Sequence, residues 1–191
     1  TDTKGGALRL WDGSEVLFST FTGNSADVSG NAINSTAITT IANLFADGTG
    51  LEIDSNFADV TDGGGNVTTS NQADDGASLD SASSKVAVSL ADLKLSDAAD
   101  NGGPTWTVAL GEGSAARDVW TEALNASSTS TNLPTVDQRG TSRTFSYDAG
   151  AYEAGPILAA TGVDASGIAL TGGVIGAAGV ALVARRRRNR A

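Results

Sequence analysis

The chain has 191 residues, with 22 aspartates and glutamates against 12 lysines and arginines, and it contains neither cysteine nor histidine. Because five of the basic residues follow Thr161, the preceding part carries seven basic against 21 acidic side chains, a formal charge of −14. This acidity argues against nucleic-acid binding, and the missing residue types exclude disulfides, thiol catalysis, histidine metal sites and Ser-His triads.

The first third of the chain consists of short β-prone segments separated by Gly, Asn and Asp. The most β-prone segments are 7–10, 16–22, 36–41, 43–46 and 51–53. Short strands with turn residues between them are typical of an all-β fold. We therefore expect the first half of the chain to be built from strands.

A loose repeat links two of these segments. Residues 19–24 (STFTGN) align with residues 43–48 (NLFADG) at an offset of about 24, which is the length of one solenoid coil. Since one coil cannot bury its inward apolar face alone, it would stack on neighbouring coils. Phe21 would then lie over Phe45, and Gly and Asn would occupy the corners that need a positive φ. The alternative is a β-sandwich in which two strands are similar by chance.

Four motifs follow one another in the next part of the chain. They are DAADNGGPTWTVAL at 97–110, GSAARD at 113–118, DQRGTSR at 137–143 and YDAGAYE at 147–153. In this order they resemble the C-terminal region of choice-of-anchor Q surface proteins, and GGAL at 5–8 is similar to a phrase of the coils in that family. The resemblance implies a right-handed parallel β-helix of the pectin-lyase-like superfamily, with coils in 1–96 and a terminal region in 97–153.

The chain contains no Met and starts at Thr1. An exported translation product needs an initiator and a signal peptide. We interpret the sequence as the C-terminal piece of a longer protein, with further coils upstream, and a processed product is the alternative.

Charged residues near the end of the terminal region have two interpretations. Asp137, Arg139 and Arg143 could form a glycan-cleaving site. In the favoured interpretation, Arg139 pairs with Asp137 or Asp148 and fastens the last strand, because a carboxylate suits the planar guanidinium fork.

Aromatic residues and acidic turns also have structural alternatives. Trp106, Trp120 and Tyr152 could stack on sugars. Because the chain has few aromatic residues, we expect these three to be core or capping residues instead. The acidic turns at 59–66 and 97–101 lack the spacing and the trailing Glu of a calcium loop, so we predict no metal site.

The last part of the chain combines a short motif, an apolar run and a basic cluster. LAATG lies at 158–162, the apolar run at 168–184, and arginines at 185–188 and 190. A run of about 17 residues is at the short end for crossing a hydrocarbon core of about 30 Å, and arginines stay on the cytoplasmic side. We predict a linker at 154–166, a transmembrane helix at 167–184 and a cytoplasmic tail at 185–191.

This order resembles the cell-wall sorting signal of Gram-positive surface proteins, in the LAxTG form that is associated with class E sortases. The resemblance implies that the sortase recognises and cleaves at Leu158, Ala159, Thr161 and Gly162, and that translocation stops at Arg185, Arg186, Arg187 and Arg188. In that family the sortase cuts between Thr and Gly and passes the Thr carbonyl to an amine of a peptidoglycan precursor. The alternative is a plain C-terminal membrane anchor.

Together these features predict an all-β chain, the C-terminal part of a right-handed parallel β-helix followed by one C-terminal transmembrane helix. We expect a sortase-anchored cell-wall protein that serves as a stalk or an adhesive surface and has no enzymatic activity, cofactor or metal. Its expected partners are a sortase, peptidoglycan and, before processing, the membrane. Two alternatives stay open: a polysaccharide lyase or hydrolase with its active site on upstream coils, and a polymer shaft that uses Lys4, Lys85 or Lys94 as acceptor.

Overall fold

The computed structural model describes residues 4–11, 13–28, 30–48, 50–55, 60–70, 79–128, 130–144 and 146–155. The chain divides into two units, Thr1–Gly155 and Pro156–Ala191. The second unit, with the predicted transmembrane helix at 167–184, lies outside the described residues. Within the described ranges, no helix is long and apolar enough to cross a membrane.

Nine short strands of the described residues form three parallel sheets. The strands are β1 (Leu8–Arg9), β2 (Ser14–Leu17), β3 (Thr20–Thr22), β4 (Ile33–Ser35), β5 (Ile38–Ile41), β6 (Leu44–Ala46), β7 (Ile53–Ser55), β8 (Val60–Gly64) and β9 (Val67–Thr68). The sheet orders are β1-β4-β7, β2-β5-β8 and β3-β6-β9, so each turn of the chain adds one strand to every sheet. These stacked rungs are consistent with a β-helix.

The register confirms the predicted repeat. Phe21 pairs with Phe45 at an offset of 24 residues, and their rings stack with centroids 5.1 Å apart and planes 7° apart. In the first sheet Ile33 pairs with Ile53, and both are fully buried. Parallel pairing of like residues is typical of stacked coils rather than of the antiparallel strands of a β-sandwich. The aromatic stack adds about 0.5–1.5 kcal/mol to the stabilisation from area burial.

A column of buried amides connects the rungs at the corner between the second and third sheets. The Asn43 Oδ1 accepts from the Ser19 N–H at 2.8 Å, and its Nδ2 donates to the Val16 carbonyl at 2.8 Å. The Asn66 Oδ1 accepts from the Asn43 N–H at 2.9 Å, and its Nδ2 donates to the Thr40 carbonyl at 2.9 Å. Leaving such a buried group unpaired would cost about 1–3 kcal/mol. The amides therefore satisfy backbone groups that the corner removes from the sheets.

The prediction that Gly and Asn occupy the corners with positive φ holds in only one of the three rungs at this corner. Positive φ falls on Phe18 (45°) and Ala42 (48°) in two rungs, and on the neighbouring Gly64 (102°) and Gly65 (69°) in the third. Asn43 and Asn66 each follow such a residue instead of adopting the conformation themselves. The strain of about 1–3 kcal/mol per residue is tolerated where the surroundings determine the backbone, and here the amide hydrogen bonds do so.

After the ninth strand, Lys85 makes one further parallel bridge to Val67, and the chain then closes the stack. The closing elements are α1 (Leu90–Leu93), β10 (Leu95–Ala99), β11 (Thr107–Leu110), β12 (Trp120–Thr121), α2 (Glu122–Ser127) and β13 (Ser146–Tyr147). β10 pairs with β11 and β12 pairs with β13, both antiparallel. Buried Leu93 and Leu110 pack on Leu44 and Val67 of the rungs. The terminal motifs thus cover apolar side chains that another rung would otherwise cover.

Candidate functional site

Five charged side chains meet in the last part of the described chain, and we call them the closing cluster: Asp137, Arg139, Arg143, Asp148 and Glu153. They come from the DQRGTSR and YDAGAYE motifs. All but Arg139 are buried. Buried charges are tolerated only when each finds partners, so the hydrogen bonds of the cluster decide what it can do.

The Asp137 carboxylate is saturated with donors. Its Oδ2 accepts from the Arg139 Nη2 at 2.6 Å and Nε at 2.9 Å, and from the Glu153 N–H at 2.9 Å. Its Oδ1 accepts from the backbone N–H groups of Arg139 at 2.8 Å and Thr141 at 2.9 Å. Burial raises the pKa of Asp137, but these hydrogen bonds outweigh burial and hold the pKa below its ordinary value. The predicted pair of Arg139 with Asp137 is confirmed.

Arg143 is only 4% exposed and fastens the final turn. Its Nη1 donates to the Glu153 Oε2 at 2.8 Å and to the Asp148 carbonyl at 3.2 Å, and its Nη2 donates to the Gly150 carbonyl at 2.7 Å. The guanidinium also lies 4.6 Å from the ring centroid of Phe18 in the first rung. Arg143 therefore ties the last residues of the unit to one another and to the rungs.

The two remaining carboxylates also serve backbone groups. The Asp148 carboxylate accepts from the N–H groups of Asp118 at 2.8 Å and Ala154 at 2.6 Å, and Glu153 accepts from the Asp148 N–H at 3.1 Å. Burial raises the pKa of Asp148, and it raises the pKa of Glu153 to about 7 despite the pair with Arg143. Because these groups are turned inward and engaged, their geometry favours fastening over contact with a substrate.

A further buried carboxylate, Glu52, lies apart from the closing cluster, in the rungs. Glu52 is 1% exposed, and its Oε1 accepts from the Gly48 N–H at 3.0 Å. Burial raises the pKa of Glu52 from 4.5 to about 7. The folded state therefore retains a proton that the unfolded chain loses at lower pH. The protonated Glu52 side chain therefore stabilises the fold. Its contribution to the free energy of unfolding is complete below about pH 4.5 and is lost as the pH rises through about 7.

We expect Glu52→Gln to flatten the pH dependence of stability. In the wild type the free energy of unfolding should fall between about pH 4.5 and pH 7, with Glu52 contributing a slope of up to about 1.4 kcal/mol per pH unit. Urea unfolding at several pH values in this interval measures the slope. Glu112→Gln is the control, because it removes one carboxylate charge at an exposed position. If both variants flattened the pH dependence of the free energy of unfolding equally, the assignment of the slope to Glu52 would be contradicted.

The first acidic turn forms a fastening site. The Asp62 Oδ1 accepts from the Asn66 Nδ2 at 2.7 Å and the Ser84 Oγ at 2.9 Å, and its Oδ2 accepts from the Ser81 N–H at 2.9 Å. These bonds attach the 81–84 segment to the last rung. Among the residues that the structure describes, no group of three acidic, His or Cys side chains is arranged to hold a metal ion.

The aromatic residues divide into two kinds. Trp120 is 1% exposed, and Tyr152 is half-buried with the Arg139 guanidinium 3.7 Å from its ring centroid. The core and capping role predicted for these two is confirmed. For Trp106 the same prediction is wrong, because its side chain is 70% exposed. It precedes β11 directly, in the loop that joins β10 to β11.

A groove lies beneath Trp106, between β3 and the β10–β11 hairpin, and we call it the Trp106 groove. Its volume is about 430 Å³, within the range of small-molecule sites. Its polar lining residues are Ser19, Thr20, Thr22, Thr107 and Gln138. Its apolar lining residues include Leu8, Ala98 and Val108. The groove therefore combines an exposed aromatic ring with hydroxyl, amide and apolar groups.

Sequence reasoning identified Trp106 but not the other side of the groove. Thr20 and Thr22 flank the inward Phe21, so the alternation of β3 was a usable signal that both point away from the core. Gln138 gave no such signal. It reaches the groove because the Asp137–Arg139 turn lies beside the hairpin, where the Gln138 Nε2 donates to the Thr105 Oγ1.

The predicted sorting residues lie outside the described part of the chain. They are Leu158, Ala159, Thr161, Gly162, Arg185, Arg186, Arg187 and Arg188. No family profile, curated protein or solved structure matches the chain.

Proposed function

We propose that this chain is a cell-surface protein that a sortase joins covalently to the cell wall. The observation that supports the proposal is the order of three features: LAATG at 158–162, the apolar run at 168–184 and the arginines at 185–188. Each feature alone is common. In this order they present a cleavable peptide outside a membrane segment, with a basic stop on the cytoplasmic side.

In this reaction the chain is the substrate and the sortase is the enzyme. The sortase thiolate attacks the Thr161 carbonyl, the Thr161–Gly162 amide breaks, and the Gly162 amine leaves with a proton donated by an acid group of the sortase. The resulting thioester is then attacked by an amine of a peptidoglycan precursor, which forms a new amide at Thr161 and releases the thiol. The sortase is a transient partner, and peptidoglycan is the permanent one.

The unit before the sorting motif serves as the displayed part, a stalk or an adhesive surface. We propose that it is the end of a right-handed parallel β-helix of the choice-of-anchor Q type. Three parallel sheets in stacked rungs support this proposal. The DQRGTSR and YDAGAYE motifs support it too, because their charged residues form the closing cluster that fastens the end of the unit.

Substitution of the cleaved residue tests the anchoring. We expect Thr161→Ala to shift the protein from the wall to the membrane fraction almost completely, because the sortase cleaves after this residue. Ala160→Ser is the matched control at the free position of the motif and should leave wall attachment unchanged. The measurement is mass spectrometry of the C-terminal peptide that a muralytic enzyme releases from purified walls.

The peptide mass distinguishes the two modes of attachment. A peptide that ends at Thr161 and carries a wall fragment is expected for the wild type and Ala160→Ser. A wild-type peptide that continues through Gly162 into the apolar run, and is found only in membranes, would overturn the proposal in favour of a plain membrane anchor.

A further inference from the structure

We propose that the Trp106 groove binds a neutral glycan, with one hexopyranose ring stacked on the indole of Trp106. The inference deepens the proposed display function by naming the class of ligand that the displayed unit contacts. It depends only on described residues of the Thr1–Gly155 unit, and it can therefore be tested separately from wall attachment.

Trp106 exposes most of its side chain to solvent. A tryptophan left in water forgoes the burial of a large apolar surface. Trp106 is 70% exposed, and within the described residues no aromatic ring or cation covers it. Trp11, at 68% exposure, differs because the Arg9 guanidinium lies 5.7 Å from its ring centroid. The indole of Trp106 is thus available to an amphipathic partner.

The loop that presents Trp106 is held in place from three sides. The Asn101 Nδ2 donates to the Thr107 carbonyl at 2.8 Å, and the Gln138 Nε2 donates to the Thr105 Oγ1. Gly103 has φ 88°, and a Cβ at this position would lie 2.7 Å from the Arg139 Cα, so the loop backbone packs directly on the closing cluster. A fixed aromatic platform loses little conformational entropy when a ligand binds.

The chemistry of the lining suits a sugar ring. A pyranose has apolar C–H faces and a rim of hydroxyl groups that both donate and accept hydrogen bonds. The groove offers the apolar side chains of Leu8 and Val108 together with the Thr22 hydroxyl and the Gln138 amide oxygen. The Thr20 hydroxyl accepts from the Ala151 N–H at 2.9 Å and keeps its own proton for a ligand. Hydroxyl and amide groups likewise donate and accept. At about 430 Å³ the groove has room for a short oligosaccharide.

Charge restricts the ligand to the neutral class. The lining of the groove includes no Asp, Glu, Lys or Arg among the described residues. The chain up to Thr161 carries 21 acidic against seven basic residues, so its field repels polyanions such as uronates and phosphate polymers. A neutral glycan avoids this repulsion and needs no counter-charge in the groove.

Titration of the full 191-residue chain with trisaccharides tests the proposal. The protein is kept in a polyoxyethylene detergent, which has no sugar headgroup, and cellotriose, maltotriose, mannotriose and tri-N-acetylchitotriose are added in turn. We expect at least one of them to shift the tryptophan emission to the blue and to give a saturable calorimetric signal, because stacking removes Trp106 from water. Trigalacturonate, the anionic counterpart, is expected to bind at least about tenfold more weakly.

Two tryptophan variants distinguish sugar binding in the groove from binding elsewhere on the surface. Trp106→Ala should weaken binding of the best trisaccharide by at least about tenfold, since a stacked aromatic is the typical dominant contact. Trp11→Ala removes an equally exposed indole outside the groove and should bind like the wild type. Thermal unfolding by circular dichroism confirms that both variants are folded.

Three results would overturn the inference: no response to any neutral trisaccharide, wild-type affinity in Trp106→Ala, or tighter binding of trigalacturonate than of every neutral sugar. None of them affects the peptide that ends at Thr161. Conversely, an uncleaved C-terminus would refute sortase anchoring and leave sugar binding intact.

Discussion

Arg143→Met should lower the free energy of unfolding by about 3–5 kcal/mol, the range seen when one partner of a buried ion pair is removed. Methionine keeps much of the side-chain volume but donates no hydrogen bond. The Glu153 carboxylate would lose its 2.8 Å ion pair, and the carbonyl of Gly150 would lose its 2.7 Å donor. The contact of the guanidinium with Phe18 would also be lost.

Urea unfolding at neutral pH measures this loss. Arg9→Met is the matched control because Arg9 is exposed and belongs to the first rung. It loses only the exposed contact of its guanidinium with the Trp11 ring, so it should change the free energy of unfolding by no more than about 1 kcal/mol. Equal effects of the two substitutions would show that Arg143 does not fasten the end of the unit.

Trp120→Ala should also destabilise the fold by about 3–5 kcal/mol, the usual cost of truncating a buried large aromatic residue. The side chain is 1% exposed and meets the Phe18 ring edge-on at a centroid distance of 6.0 Å. A Cβ at Gly65 would lie 3.1 Å from the indole, so the backbone at that corner packs directly against the ring. Truncation would leave a cavity that this rigid corner cannot fill.

Trp106→Ala is the control for this prediction as well. It removes the same side chain at 70% exposure instead of 1%, and its effect on the free energy of unfolding should stay within about 0.5 kcal/mol. Guanidinium unfolding monitored by far-ultraviolet circular dichroism compares the two variants. If Trp106→Ala were as destabilising as Trp120→Ala, Trp106 would be a structural residue and the groove would lose its platform.

The closing cluster and the Trp106 groove share the 137–139 turn and serve different purposes. Asp137 and Arg139 hold the backbone at Glu153, while Gln138 between them lines the groove. The motif that ends the stack therefore also positions one wall of the candidate site. Damage to the cluster should impair both stability and sugar binding, whereas damage to Trp106 should impair binding alone.

Local pattern was sufficient to predict several parts of this protein. The offset of about 24 residues between 19–24 and 43–48 predicted that Phe21 lies over Phe45, because a coil must bury its apolar face on an equivalent coil. The proximity of Asp137 and Arg139 in the sequence predicted their pair, because a bidentate contact two residues apart needs only a turn. Short spacing and repetition are visible in the sequence without knowledge of the fold.

Only the tertiary structure decided the features that depend on which distant surfaces meet. Asn43 and Asn66 look like turn residues in the sequence, yet their side chains connect rungs, and the strained positive φ falls on Phe18 and Ala42. Trp106 and Trp120 have the same chemistry, but packing against Phe18 buries one while the hairpin holds the other in water. Composition and periodicity determined that this chain stacks and what it cannot do chemically. Contacts between residues far apart in sequence determined which side chains remain free to bind, because burial is a property of the packed molecule.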